Sequence, residues 1–163
     1  MTELVILVVE DEPEVRAAIV RDLAPLSGTI RVDEADTVDD ALAALEECTA
    51  AGDRVGLILA DHRLPGRSGV DLLVSLHAEP ATRPIRKVLI TGQAGHQDTI
   101  RAINDAGLAH YIAKPWEPDD LRATAIDQLT DYVIDEGLDP LAFVQVLDGP
   151  RLLDEYSRAS RSD

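Results

Sequence analysis

Short apolar runs recur along this chain, each parted from the next by a stretch of helical period, and that alternation points to a parallel sheet covered by helices on both faces. The runs at 4–9, 30–35, 56–60, 86–90 and 109–113 read as five strands. Pro13 suits the opening turn of a first helix, whose stripe Val15, Ala18, Ile19 and Leu23 should end near Pro25. Thr37 caps a second helix in which Val38, Ala41, Leu42, Leu45 and Cys48 repeat at three and four, and Gly52 closes it. A third helix is predicted over 69–78. A fourth, over 97–106, has only Ile100 and Ile103 to bury and should be the least firmly packed. The fifth starts near Pro118 and runs towards Gly137.

These elements predict an α/β domain over 1–136 and a C-terminal helical extension over 137–163. Within the extension, Asp139-Pro140 opens a short helix through Val146, Asp148-Gly149-Pro150 marks a turn, and an amphipathic piece covers 151–156. The polar residues 157–163 are expected to be a disordered tail.

Hydrophobic residues make up 45% of the chain and aromatics only 3%, so the core must be aliphatic. A net charge of -16 makes nucleic acid and anionic lipid repulsive partners, which argues against direct binding of either. Cys48 is the single cysteine and has no internal disulfide partner; it reads as a small apolar packing residue. No apolar stretch approaches the roughly 20 residues of a membrane span, and Met1-Thr2-Glu3 lacks a basic leader, so a cytoplasmic protein is expected.

The chemistry lies where the strands end. Glu10, Asp11 and Glu12 follow the first strand, Asp61 the third, Thr91-Gly92 the fourth and Lys114-Pro115 the fifth. In a parallel sheet these carboxylates, one hydroxyl and one amine converge at a single edge, where α/β proteins bind ligands. Any one of them alone is an ordinary cap or solvated residue. Together they suit a hard cation such as magnesium and a transferred phosphoryl group, with Asp61 as nucleophile. The bond before Pro115 is a candidate for the cis form.

The segments Val8-Val9-Glu10-Asp11-Glu12-Pro13, Leu59-Ala60-Asp61-His62-Arg63-Leu64-Pro65-Gly66, Leu89-Ile90-Thr91-Gly92 and Tyr111-Ile112-Ala113-Lys114-Pro115 resemble a CheY-like response regulator receiver domain over about 4–134. That resemblance implies a doubly wound five-stranded sheet of order 2-1-3-4-5. It implies a phosphoryl group accepted on Asp61 from a sensor histidine kinase, with Mg2+ held by Asp11 and Asp61 directly, by Glu10 through water and by the backbone carbonyl of Arg63. Thr91 and Lys114 would contact the phosphoryl group, and Thr91 with Tyr111 would form the switch. The readout would be a protein target at the face of the fourth helix, fifth strand and fifth helix.

The side chains of Arg63 and Gln93 flank the path of attacking water and are expected to modulate the life of the acyl phosphate. His62 reads as a surface residue, and Trp116 as a packing residue near the signalling face that could anchor a partner. The chain is expected to signal by protein contact without an effector of its own, residues 137–163 packing back, extending the fifth helix or making a homodimer contact. A phosphorelay intermediate is an alternative. So is an aspartyl-phosphate phosphatase, although Arg63 stands where such an enzyme needs a second acid.

Overall fold

The structure, a computed structural model, describes residues 2–92 and 96–161. Five strands, β1 (Leu4–Val9), β2 (Arg31–Ala35), β3 (Arg54–Ala60), β4 (Arg86–Thr91) and β5 (His110–Ala113), pair in parallel in the order β2-β1-β3-β4-β5. The helices between and after them are α1 (Pro13–Leu23), α2 (Val38–Ala51), α3 (Gly69–Ala78), α4 (His96–Asp105), α5 (Pro118–Asp135) and α6 (Gly149–Arg161). The doubly wound sheet and its strand order agree with the sequence reading.

Side-chain alternation along each strand divides the core into two layers. Leu4, Ile6, Val8, Leu57, Leu59, Val88 and Ile90 face α1 and α5, together with Ile19, Leu23, Leu121 and Leu129. Val5, Leu7, Val9, Ile58, Ala60 and Leu89 face the other way, against Ala41 and Leu45 of α2 and Leu72, Leu73 and Leu76 of α3. Thr37 accepts a hydrogen bond from the Asp40 amide at 3.0 Å, and Gly52 closes α2 at φ 79, the left-handed conformation that glycine adopts without steric cost.

On α4, expected to be the least firmly packed helix, Ile100 and Ile103 are 44% and 55% exposed. Arg101 ties it to α3 through a 2.7 Å ion pair with Asp71.

The segment after α5 departs from the sequence expectation. In place of a helix through Val146 there is a single 3-10 turn, Pro140–Ala142, followed by irregular turns. The spacing of Phe143, Val144, Val146 and Leu147 suits a helical stripe, but the irregular path packs all four against the α1–α5 layer, and this tertiary burial overrides local periodicity. α6 then runs to Arg161, so residues 157–161 are helical where a disordered tail was expected. Arg158 pairs with Asp154 one turn back at 2.9 Å, and the cationic last turn suits the negative end of the helix dipole. Residues 162 and 163 lie outside the described residues.

Lys87 on β4 is 1% exposed, and its Nζ donates to the carbonyls of Arg83 at 3.0 Å and Ile85 at 2.8 Å. Burial, reinforced by the charges of Arg86 and Arg83, pulls this amine down to about 8. Between pH 8 and the ordinary lysine value of 10.5 the unfolded chain holds a proton that the folded chain has released, so stability rises with pH through that window. The full rise is about 3.5 kcal/mol at most, at about 1.4 kcal/mol for each unit. Urea unfolding at pH 8 and pH 10 should show this gain in the natural protein and lose it in Lys87→Met; an equal gain in both would remove Lys87 as its source.

Candidate functional site

The carboxyl ends of β1, β3, β4 and β5 meet at one edge because the ladder continues past each strand. The Glu10 amide donates to Ala35 O and the Asp61 amide to Val9 O, both at 3.0 Å, so the two acids sit at fixed depths at neighbouring strand tips. The Lys114 amide reaches Thr91 O at 3.3 Å, which carries the lysine to the same edge. The Lys114–Pro115 bond is cis.

Lys114 Nζ lies 2.6 Å from Glu10 Oε1 and 3.1 Å from Asp61 Oδ2, a single ammonium shared by two buried carboxylates. Glu10 Oε2 accepts the Asp11 amide at 3.0 Å, and Asp61 Oδ1 faces the Arg63 amide at 3.4 Å. One carboxylate oxygen from each of Glu10, Asp11 and Asp61 lies within 4.8 Å of the others. An all-oxygen donor set of acids, two of them buried, fits a hard divalent cation.

The electrostatics fit it too. Burial, with the neighbouring Asp61 charge adding to it and Lys114 opposing it, raises the Glu10 carboxyl to about 7. Burial also works against the Lys114 charge, but hydrogen bonds to Glu10 and Asp61 outweigh it and raise the amine. A carboxyl with a raised value costs the fold nothing below pH 4.5, progressively more up to pH 7, and its full amount above. At neutral pH the corner therefore carries an excess of negative charge that a cation relieves.

Thr91 ends β4 with 2% exposure. The half-buried Tyr111 donates from its hydroxyl to Thr91 O at 3.2 Å, so the two expected switch residues are joined across the β4–β5 pair. The Arg63 side chain is exposed, and its backbone amide faces Asp61. Gln93 lies outside the described residues. His62 is half-buried, more covered than the surface position expected for it.

Three residues that the sequence reading did not assign to the site hold the corner together. A Cβ at Gly69 would stand 1.9 Å from the Asp61 carbonyl oxygen, and the Gly69 amide donates to His62 O at 2.8 Å, so α3 approaches the site closely only because this residue has no side chain. Glycine in a first helical turn, where it is a poor helix former, was the available signal. Arg16 Nη1 donates to the Glu10 carbonyl at 2.7 Å while its Nε holds Glu34 at 3.2 Å. Trp116, half-buried against the α1–α5 layer, donates from Nε1 to the buried Asp22 of α1 at 2.8 Å and so anchors the loop that carries Lys114. No motif marks either contact.

This fold with this corner defines a signalling receiver. Residues 6–126 match the response regulator receiver domain family, and the chain belongs to it. It is 34% identical over 82% of its length to the hydrogenase transcriptional regulatory protein HoxA of Cupriavidus necator, of which it covers 25%. It is 35% identical over 72% of its length to the phosphate regulon transcriptional regulatory protein PhoB of Escherichia coli, covering 48% of that protein. The chain thus spans a quarter to a half of these relatives. A CheY-like receiver domain protein from Methanospirillum hungatei superposes with a TM-score of 0.68 at 26% identity, over 81% of this chain and 97% of that one. The receiver of an HD domain-containing protein from Pseudomonas fluorescens shares the fold at a TM-score of 0.72 and 23% identity, over 84% and 94%. Receiver domains serve two-component signalling, and the family binds Mg2+ at an acidic pocket. No helix among the described residues is long and apolar enough to cross a membrane.

Gly69→Ala forces either α3 or the Asp61 backbone to move, and overpacking of this kind costs about 1–3 kcal/mol. A lower urea midpoint together with weaker Mg2+ binding by calorimetry is the expected result; a variant equal to the natural protein in both would show that the approach of α3 is not needed.

Proposed function

We propose that residues 1–136 form a receiver that accepts a phosphoryl group on Asp61 from a phosphohistidine of a sensor histidine kinase in the cytoplasm, and signals by protein contact. The observation that carries this reading is the Lys114 ammonium held between Asp61 and Glu10 at the edge where Asp11 completes the acid cluster. A carboxylate oxygen of Asp61 attacks phosphorus, the phosphorus–nitrogen bond breaks, and the departing imidazole keeps the electron pair and takes up a proton. A mixed anhydride remains on Asp61.

Asp11 and Asp61, Glu10 through water and the Arg63 carbonyl would hold magnesium, which when bound neutralises charge on the phosphoryl oxygens. Lys114 stands ready to exchange its Asp61 contact for a phosphoryl oxygen, and Thr91 supplies a hydroxyl at the tip of the adjacent strand. Movement of Thr91 towards the phosphoryl group would disturb the hydrogen bond that its carbonyl accepts from Tyr111. The face formed by α4, β5 and α5, where Ile100 and Ile103 are exposed, is the surface that such a change reaches. The exposed Arg63 guanidinium at the rim is assigned an effect on anhydride lifetime; an unchanged dephosphorylation rate in Arg63→Ala removes that role.

With Mg2+ and a small phosphodonor, intact-mass measurement should show one added phosphoryl group on the natural protein and none on Asp61→Asn. Addition that persists in Asp61→Asn, or that is indifferent to chelation of the metal, would refute the assignment. Lys114→Ala should slow the same reaction by about tenfold or more, the scale on which a fixed charge at a reacting oxygen acts.

A further inference from the structure

Three residues of α1 are buried, and two of them, Ile19 and Leu23, are aliphatic. The third is Asp22, 6% exposed. Packing between α1 and α5 does not call for an acid there. An apolar side chain would fill the place without losing water, whereas a buried carboxyl group is tolerated only where hydrogen bonds replace its hydration. Asp22 Oδ2 accepts Trp116 Nε1 at 2.8 Å, and the Asp22 carbonyl accepts Arg122 Nε at 3.1 Å. Arg21 Nε stands 3.8 Å from Oδ1 on a side chain that is 76% exposed. The loop between β5 and α5 is thus tied to α1 through the carboxyl group, and α5 through the backbone of the same residue.

The residue that gains from this tie is Lys114, two positions before Trp116. β5 has four residues and lies at the edge of the sheet, so its backbone is paired on the β4 side alone. The Lys114 amide holds Thr91 O at 3.3 Å, a long bond. Beyond it Pro115 and Glu117 are exposed, while Trp116 is half-buried against the α1–α5 layer. At rest the ammonium is held by Glu10 at 2.6 Å and Asp61 at 3.1 Å. That hold changes when a phosphoryl group arrives on Asp61, because the Asp61 contact is the one exchanged. The place of the amine then depends on Glu10 and on the backbone that carries its flexible four-carbon stem.

We propose that Trp116, fixed by Asp22, is a positioning residue for Lys114 in phosphoryl transfer: the hydrogen bond to α1 holds the loop after β5 at the depth from which the ammonium reaches a phosphoryl oxygen. This inference rests on the reading of Asp61 as the acceptor. Trp116 acts through Lys114 and not on the reacting atoms. Aliphatic packing leaves an indole free to slide, whereas a hydrogen bond fixes its direction. A shift of about 1 Å at a reacting group costs up to about a hundredfold in rate. The buried acid is then explained by the reaction and not by folding.

With saturating Mg2+ and a small phosphodonor, Asp22→Leu combined with Trp116→Phe should slow phosphorylation of the full chain by about fivefold or more, within the range that misplacing a reacting group produces. Replacing both partners by apolar residues leaves no orphaned polar atom, so the urea midpoint should stay close to that of the natural protein. Asp22→Asn keeps an oxygen acceptor for the indole and should restore most of the rate. In a Lys114→Ala background the same double change should slow the reaction no further, since its effect passes through the ammonium. Labelling of the unphosphorylated protein with trinitrobenzenesulfonate, resolved by peptide mass, gives a reading that needs no phosphoryl transfer. Lys114 should react several-fold faster in the double variant, with the sealed Lys87 as internal reference. A double variant phosphorylated at the natural rate, one that slows the Lys114→Ala protein as much as the natural one, or unchanged labelling of Lys114 would overturn the proposal. If the natural protein takes up no phosphoryl group, the reading of Asp61 fails, and the labelling of Lys114 alone decides whether Trp116 positions it.

Discussion

One ammonium shared between two buried carboxylates is the interaction on which the arrangement of this protein turns. Glu10, Asp11 and Asp61 repel one another, and their separation is set by backbone hydrogen bonds that run one residue past the strands. Lys114 is brought to them by the last strand of the sheet, 53 residues from Asp61 and 104 from Glu10 in sequence. Parallel pairing is what makes such distant residues neighbours. The corner can be assembled only when all the strands are in register, so the fold and the chemistry are one condition.

Around that corner the contacts are of two kinds. Gly69 lets α3 come close by having no side chain, while Arg16 and Trp116 reach in from the other layer and hold the backbone of Glu10 and the loop of Lys114. The site is therefore braced from both faces of the sheet. On α4 the apolar residues Ile100 and Ile103 are exposed, and Arg101 pairs with Asp71 of α3.

Most of this was readable before any coordinates, because strand tips announce themselves as an apolar run closed by a polar residue. Asp61, Thr91 and Lys114 were visible for that reason, and so was the parallel sheet. β3 begins two residues earlier than its apolar run, at Arg54, because the end of that strand is stabilised by partners far along the chain: Glu136 at 2.8 Å and the Tyr132 hydroxyl at 3.1 Å. The path of 139–147 was misread because periodicity cannot tell a helix from a run of apolar residues that folds flat against a neighbour. Gly69, Arg16 and the Trp116–Asp22 bond were not legible as site residues, since each acts through a close approach that only tertiary structure creates.

Of the fifteen cationic side chains only two are amines, Lys87 and Lys114; the rest are guanidinium groups. Lys87 is sealed beneath α3, and Lys114 is the single lysine with any opening to solvent, at 21%. Acyl groups delivered to lysine nitrogen from outside thus have one address on the folded chain, and it is the amine that the acid corner depends on. Acetylation there would cancel the shared positive charge and leave Glu10 and Asp61 facing each other without their counterion.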